Sequence, residues 1–99
     1  PFSRLIVLQA KHKDKQTCDR AMEFVVSFLN QKYRGNIVGP SEPGISRVRN
    51  MYIMECMLKL PPNSKALSDC KAYIRAAIIE MLTHEAFKRV WITADADAI

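Results

Sequence analysis

Two arginines set two apart, Arg47 and Arg49 in the run Ile45-Ser46-Arg47-Val48-Arg49, are the residues of this chain best suited to chemistry. On an extended strand such residues share a face. Each guanidinium offers a planar fork of donors that fits a phosphate or carboxylate as an ammonium does not. Tyr52 follows closely and offers an aromatic face on which a nucleic-acid base can stack. A second cationic element, Lys11, Lys13 and Lys15, alternates through Lys11-His12-Lys13-Asp14-Lys15. The chemistry of this set is recognition of an anion. The competing account is that the arginines solvate a protruding hairpin or pair with Glu42 and Glu55, and that the lysines form a solvated loop.

No catalytic set of comparable quality exists. His12 lies among lysines and His84 near the end of a helix, and neither has a Cys, Ser or carboxylate at a diagnostic spacing. Small enzymes of the acylphosphatase kind need a glycine-rich phosphate loop after their first strand, and the corresponding run, residues 11–15, has no glycine. There is no Gly-x-x-x-x-Gly-Lys nucleotide loop. Asp95 and Asp97 alternate, so they could form a metal or acid pair, but nothing completes such a site, and docking or solvation of the chain end is the preferred role. Cys18, Cys56 and Cys70 are widely spaced with no Cys-x-x-Cys pair, which reads as core thiols in a reducing compartment. The expectation is a binding module with no metal and no cofactor of its own.

The charge distribution supports an anionic partner. The net charge is +5, and residues 1–59 carry ten Lys or Arg against five Asp or Glu, while residues 60–99 carry five of each. At 99 residues and 48% hydrophobic, the chain is read as a single domain, residues 1–99, able to fold without staples. No apolar run approaches the ~20 residues of a membrane span, no signal peptide is seen, and the chain opens at Pro1 without Met. It is therefore expected to be a cytoplasmic domain cut from a longer chain, with no membrane partner.

The elements that must position these residues follow from periodicity. Leu5 to Ala10 reads as a central strand. Asp14 can cap a helix whose stripe is Cys18, Ala21, Phe24, Val25, Phe28 and Leu29, stopped at Gly35. Ile37 and Val38 open a second strand that Pro40 and Pro43 confine to an edge or bulge. Ile45 to Leu60 alternates as a hairpin with its turn near Asn50, and Tyr52, Met54, Cys56, Leu58 and Leu60 suit the core. After Pro61-Pro62, Asn63 or Ser64 can cap a second helix with the stripe Leu67, Cys70, Ile74, Ala77, Ile78, Met81 and Leu82. Phe87 to Thr93 reads as the last strand, with a small acidic tail from Ala94. The order βαββαβ is the split βαβ arrangement of ferredoxin-like α+β domains, a four-stranded antiparallel sheet with two helices on one face and the other face open.

The Gly39-Pro40 corner, the Pro43-Gly44 pair and Ile45-x-Arg47-x-Arg49-x-x-Tyr52 together resemble the C-terminal domain of bacterial PriA (primosomal protein N'), a replication-restart DNA helicase. The likeness extends to Pro1-Phe2-Ser3-Arg4-Leu5, to residues 11–15, and to Asp95-Ala96-Asp97-Ala98, where the family ends in Asp-Val-Asp-Pro. The resemblance implies a ferredoxin-like domain similar to a small-subunit ribosomal protein, with its second and third strands extended as a hairpin. It also implies two jobs: holding branched or forked DNA against the helicase core, and helping to receive the acidic C-terminal tail of single-stranded DNA-binding protein. In the family a basic residue just before the second helix serves that tail, and Ser64-Lys65 stands at the corresponding place, with Lys65 as the cation. ATP, Mg and zinc sites would belong to the parent chain outside this domain, within a bacterial, nucleoid-associated primosome. The rival readings are a purely structural domain docked on the helicase lobes in cis, and a stand-alone RNA-binding protein of ribosomal type. An RNA-recognition-motif signature is missing from the third strand.

Overall fold

Alternation along the strands decides which way each sheet face turns. A computed structural model describes the backbone of residues 4–43 and 47–96, and the side chains of all of these except Arg47 and Val48. The opening Pro1-Phe2-Ser3, the Gly44-Ile45-Ser46 segment, Asp97 and Ala98 therefore lie outside the described residues. β1 (Arg4–His12) turns Ile6, Leu8 and Ala10 inward, where all three are buried. It runs antiparallel between β4 (Met51–Leu60) and β5 (Trp91–Ala96), so it is the central strand that its apolar run predicts. β2 (Ile37–Ser41) and β3 (Arg47–Val48) both pair with β4, occupying successive stretches of one edge. The sheet order is β2-β4-β1-β5.

α1 (Lys15–Tyr33) and α2 (Ser64–Leu82) both cover the inward face. α1 begins because Asp14 Oδ2 accepts the Thr17 N–H at 2.9 Å, and it stops before Gly35, whose φ of +90° suits glycine. α2 begins at Asn63, whose Oδ1 accepts from the N–H groups of Lys65 and Ala66. Cys18, Ala21, Val25 and Leu29 of α1 and Leu67, Cys70, Ile74, Ala77 and Met81 of α2 enter one core with Cys56, Leu58 and Leu60 of β4. The Tyr73 hydroxyl donates to the Phe28 carbonyl at 3.2 Å and ties the helices together.

Pro40 is at a bulge of an edge strand, as expected, while Pro43 lies beyond the end of β2. β2 pairs with β4 at Ile37 and Val38, then its register shifts before Ser41. Gly39 at φ +104° lets the chain pass so close that an added Cβ would lie 3.2 Å from the Glu55 carbonyl oxygen. The last strand differs from the expectation: Phe87 to Thr93 is not one strand. Glu85–Phe87 is a single 3-10 turn, Phe87 packs near the ring of Phe24, and the strand starts at Trp91 and continues through Ala96. The apolar content of Phe87 serves packing against α1, while Ala94 and Ala96 alternate onto the same side of the sheet as Leu8 and Ile6, with which they are in register, and Ala94 stays exposed there.

Candidate nucleic-acid interface

The open face is built from the residues that alternate with the core. Leu5, Val7, Gln9 and Lys11 of β1 face the same way as Lys59, Met57, Glu55 and Ile53 of β4, and as Asp95, Thr93 and Trp91 of β5. Near the middle, Gln9 Nε2 donates to Glu55 Oε2 at 3.1 Å, so that carboxylate is engaged within the sheet. Toward the β3-β4 turn the face becomes cationic and aromatic. Ile53, Lys11 and Trp91 form one row across three strands, with Ile53 only 6% exposed and Trp91 64% exposed.

The β3-β4 turn completes this end. Arg49 and Asn50 adopt left-handed φ values of 53° and 64°, both central positions of a two-residue hairpin turn that favours Asn and Gly. β3 ends at Val48, so the turn, not strand alternation, sets the direction of Arg49. The Arg47 side chain lies outside the described residues. Arg49 lines two adjoining clefts: one of about 350 Å³ with His12, Lys13, Asn50, Met51 and Arg89, and one of about 190 Å³ with Lys11, Met51 and Trp91. His12 Nδ1 accepts the Asp14 N–H at 2.9 Å, which leaves Nε2 as the donor nitrogen of the neutral ring.

Lys11, Lys13 and Arg49 are thus brought together, while Lys15 and Tyr52 are placed elsewhere. Lys15 Nζ pairs with Asp19 at 2.9 Å and Glu42 at 3.3 Å, and these two partners, Asp19 first, hold its ammonium above the usual lysine range. Tyr52 shares the helix-side face with Met54 and packs against the core half-buried. Lys65 stands at the first turn of α2, exposed, with Nζ 3.3 Å from Asp69. Asp95 is exposed on β5 opposite Val7. Arg89 and Trp91 are the members that sequence periodicity missed. The β1-β5 register, which sets Trp91 opposite Lys11, reveals the second, and the larger cleft beside His12 and Lys13 reveals the first.

The three thiols are shielded from this end. Cys18 lies 3.2 Å from the Ala10 carbonyl oxygen, and burial pushes Cys18 and Cys70 up and Cys56 up to about 12, so all three stay neutral near pH 7.

A third depression, of about 370 Å³, opens between α2 and β5, lined by Ile6, Ile74, Ile78, Ile79 and Ala94 together with Lys71 and Arg75. Among the described residues no strand pairs with the outer edge of β5.

An antiparallel sheet carrying two helices on one face, with a cationic end on the other, defines a ferredoxin-like α+β domain. The sequence matches the family described as primosomal protein N C-terminal domain over residues 1–98, and the chain belongs to that family. No curated protein matches it. A solved hydantoinase/carbamoylase family amidase from Burkholderia ambifaria is similar at 11% identity and TM-score 0.53, over 96% of this chain and 27% of its own. A putative amidohydrolase/peptidase from Burkholderia cenocepacia aligns at 12% identity and TM-score 0.47, over 96% of this chain and 28% of its own. The chain therefore spans little more than a quarter of either protein, and the likeness to the first is one of fold alone.

Proposed function

We propose that this chain is the DNA-holding and protein-docking module of a PriA-type replication-restart helicase, gripping the phosphates of branched or forked DNA at the cationic end of its open sheet face. The observation that carries this reading is the convergence of Lys11, Lys13, Arg49 and Arg89 on two adjoining clefts, with no carboxylate among the described residues paired to any of them. Cations gathered without counter-charges repel one another, and a polyanion relieves that cost while releasing its own counterions. The two clefts share Arg49, so two backbone segments can diverge around it as they do at a branch. Arg47, Lys15 and Tyr52 are not needed for this grip: Lys15 is engaged by Asp19 and Glu42, and Tyr52 packs on the helix-covered face. Titrating the chain with a forked DNA and a matching duplex at two salt concentrations tests this. The fork should bind more tightly and both affinities should fall with salt; absence of binding to either at low salt would sink the reading.

The second partner is the acidic C-terminal tail of single-stranded DNA-binding protein. Lys65 at the N-terminal end of α2 combines its charge with the partial positive charge of the helix end. Lys65→Glu in the full helicase should weaken its grip on that tail, and equal affinity in both versions would refute the assignment. ATP hydrolysis, Mg and zinc belong to the rest of the helicase, and this domain works without a cofactor in the bacterial cytoplasm. The depression between α2 and β5, with Ile79 59% exposed at its border, favours a concurrent role in docking on the helicase lobes in cis.

A further inference from the structure

We infer that Trp91 is a stacking platform for one unpaired base of single-stranded DNA, whose flanking phosphates are held by Lys11 and Arg49; this rests on the DNA-binding reading above and adds to it a preference for unpaired bases. Trp91 is the most exposed large apolar residue among those described, at 64%, although an indole normally hides most of its surface. Among the described residues no other ring packs on it and no cation sits over it, so its face is available. Its neighbours select the occupant. Lys11 is directly opposite on β1, and Arg49 and Met51 complete the cleft of about 190 Å³ around the indole.

An apolar ring beside two cations without carboxylate partners is complementary to a nucleotide, which joins a flat π-surface to a phosphate. A duplex keeps its base faces stacked inside, so it can satisfy Lys11 and Arg49 but not Trp91. Single-stranded DNA satisfies all three. The indole is also well held for the purpose, because β5 pairs with the central strand β1 from Trp91 to Ala96.

Trp91 is the chain's only tryptophan, so fluorescence excited selectively in the indole, away from the three tyrosines, reports on this site alone. The test titrates the 99-residue chain with an oligothymidylate of roughly 12 nucleotides and with a duplex of equal length at low salt. The single strand should quench the fluorescence saturably and the duplex should leave it nearly unchanged. Trp91→Ala should weaken single-strand binding roughly 5- to 150-fold and leave duplex binding within about twofold, while Trp91→Phe, which retains a ring, should recover much of the loss. Binding of both DNAs with unquenched fluorescence and an undiminished Trp91→Ala affinity would overturn the stacking inference and leave the phosphate-binding reading standing. Failure of both DNAs to bind the unaltered chain would overturn the two together.

Discussion

On the covered face of the sheet, Ile6, Leu8 and Ala10 of β1 meet Leu58, Cys56 and Met54 of β4; one residue along each strand, Val7, Gln9 and Lys11 meet Met57, Glu55 and Ile53 on the open face. The first set is sealed by two helices and joins the core, with only Met54 partly exposed. In the second set every residue but Ile53 stays partly exposed, and the set ends in a lysine, an arginine turn and an exposed tryptophan. Identical backbone pairing thus supports both faces, and the side chains divide the labour. Apolar burial on one side supplies stability, which leaves the other side free to carry uncompensated charge.

The largest effect should come from the covered face. Leu8 is fully buried at the centre of the sheet, and Leu8→Ala should cost about 2–5 kcal/mol in urea unfolding, because the cavity left beside the helices cannot fully collapse. The DNA affinity of the fraction that remains folded should not move. A loss of affinity in that folded fraction would show that the faces are not separable.

A smaller, pH-dependent effect should also fall on the covered face. Cys56 has its thiol pushed from 9.0 up to about 12 by burial and then by the Glu55 charge. Its pKa is higher folded than unfolded, so the unfolded chain loses the proton first. Its stabilising effect is fully present below about 9 and is lost as pH rises toward about 12. Thermal midpoints should fall over that window, and Cys56→Ala should flatten the decline. An unchanged slope in Cys56→Ala would place the alkaline sensitivity elsewhere, with Cys18, Cys70 or Tyr33 as the remaining groups whose values are raised by burial.

The covered face was largely legible in the sequence, because burial imposes periodicity. The core positions of β4, the Asp14 cap, the Gly35 stop and the edge placement of Pro40 all follow from spacing or backbone constraints that act locally. The open face was legible only in part. Lys11, Lys13 and Arg49 stand out by charge, but Lys15 carries the same charge and is absorbed by Asp19 and Glu42, a distinction that depends on where the β2 edge brings Glu42. Phe87 and Trp91 look alike in an apolar run, yet a 3-10 turn packs the first near Phe24 and the β1-β5 register leaves the second beside Lys11. Register is a long-range property, and alternation within one strand does not encode it.

The most direct test of the division of labour uses Arg49, which the fold holds in a left-handed conformation at φ 53° where asparagine is at ease. In Arg49→Asn, the unfolding free energy should stay level or rise by up to about 1–2 kcal/mol, since the strain at the turn is relieved. Forked-DNA affinity should fall for all sequences alike, and the log-log salt dependence should become shallower by about 0.9 for the phosphate contact removed. A gain in stability with weaker, less salt-sensitive DNA binding is the predicted result. Unchanged affinity and an unchanged salt slope would contradict the account and return Arg49 to a residue that merely solvates the turn.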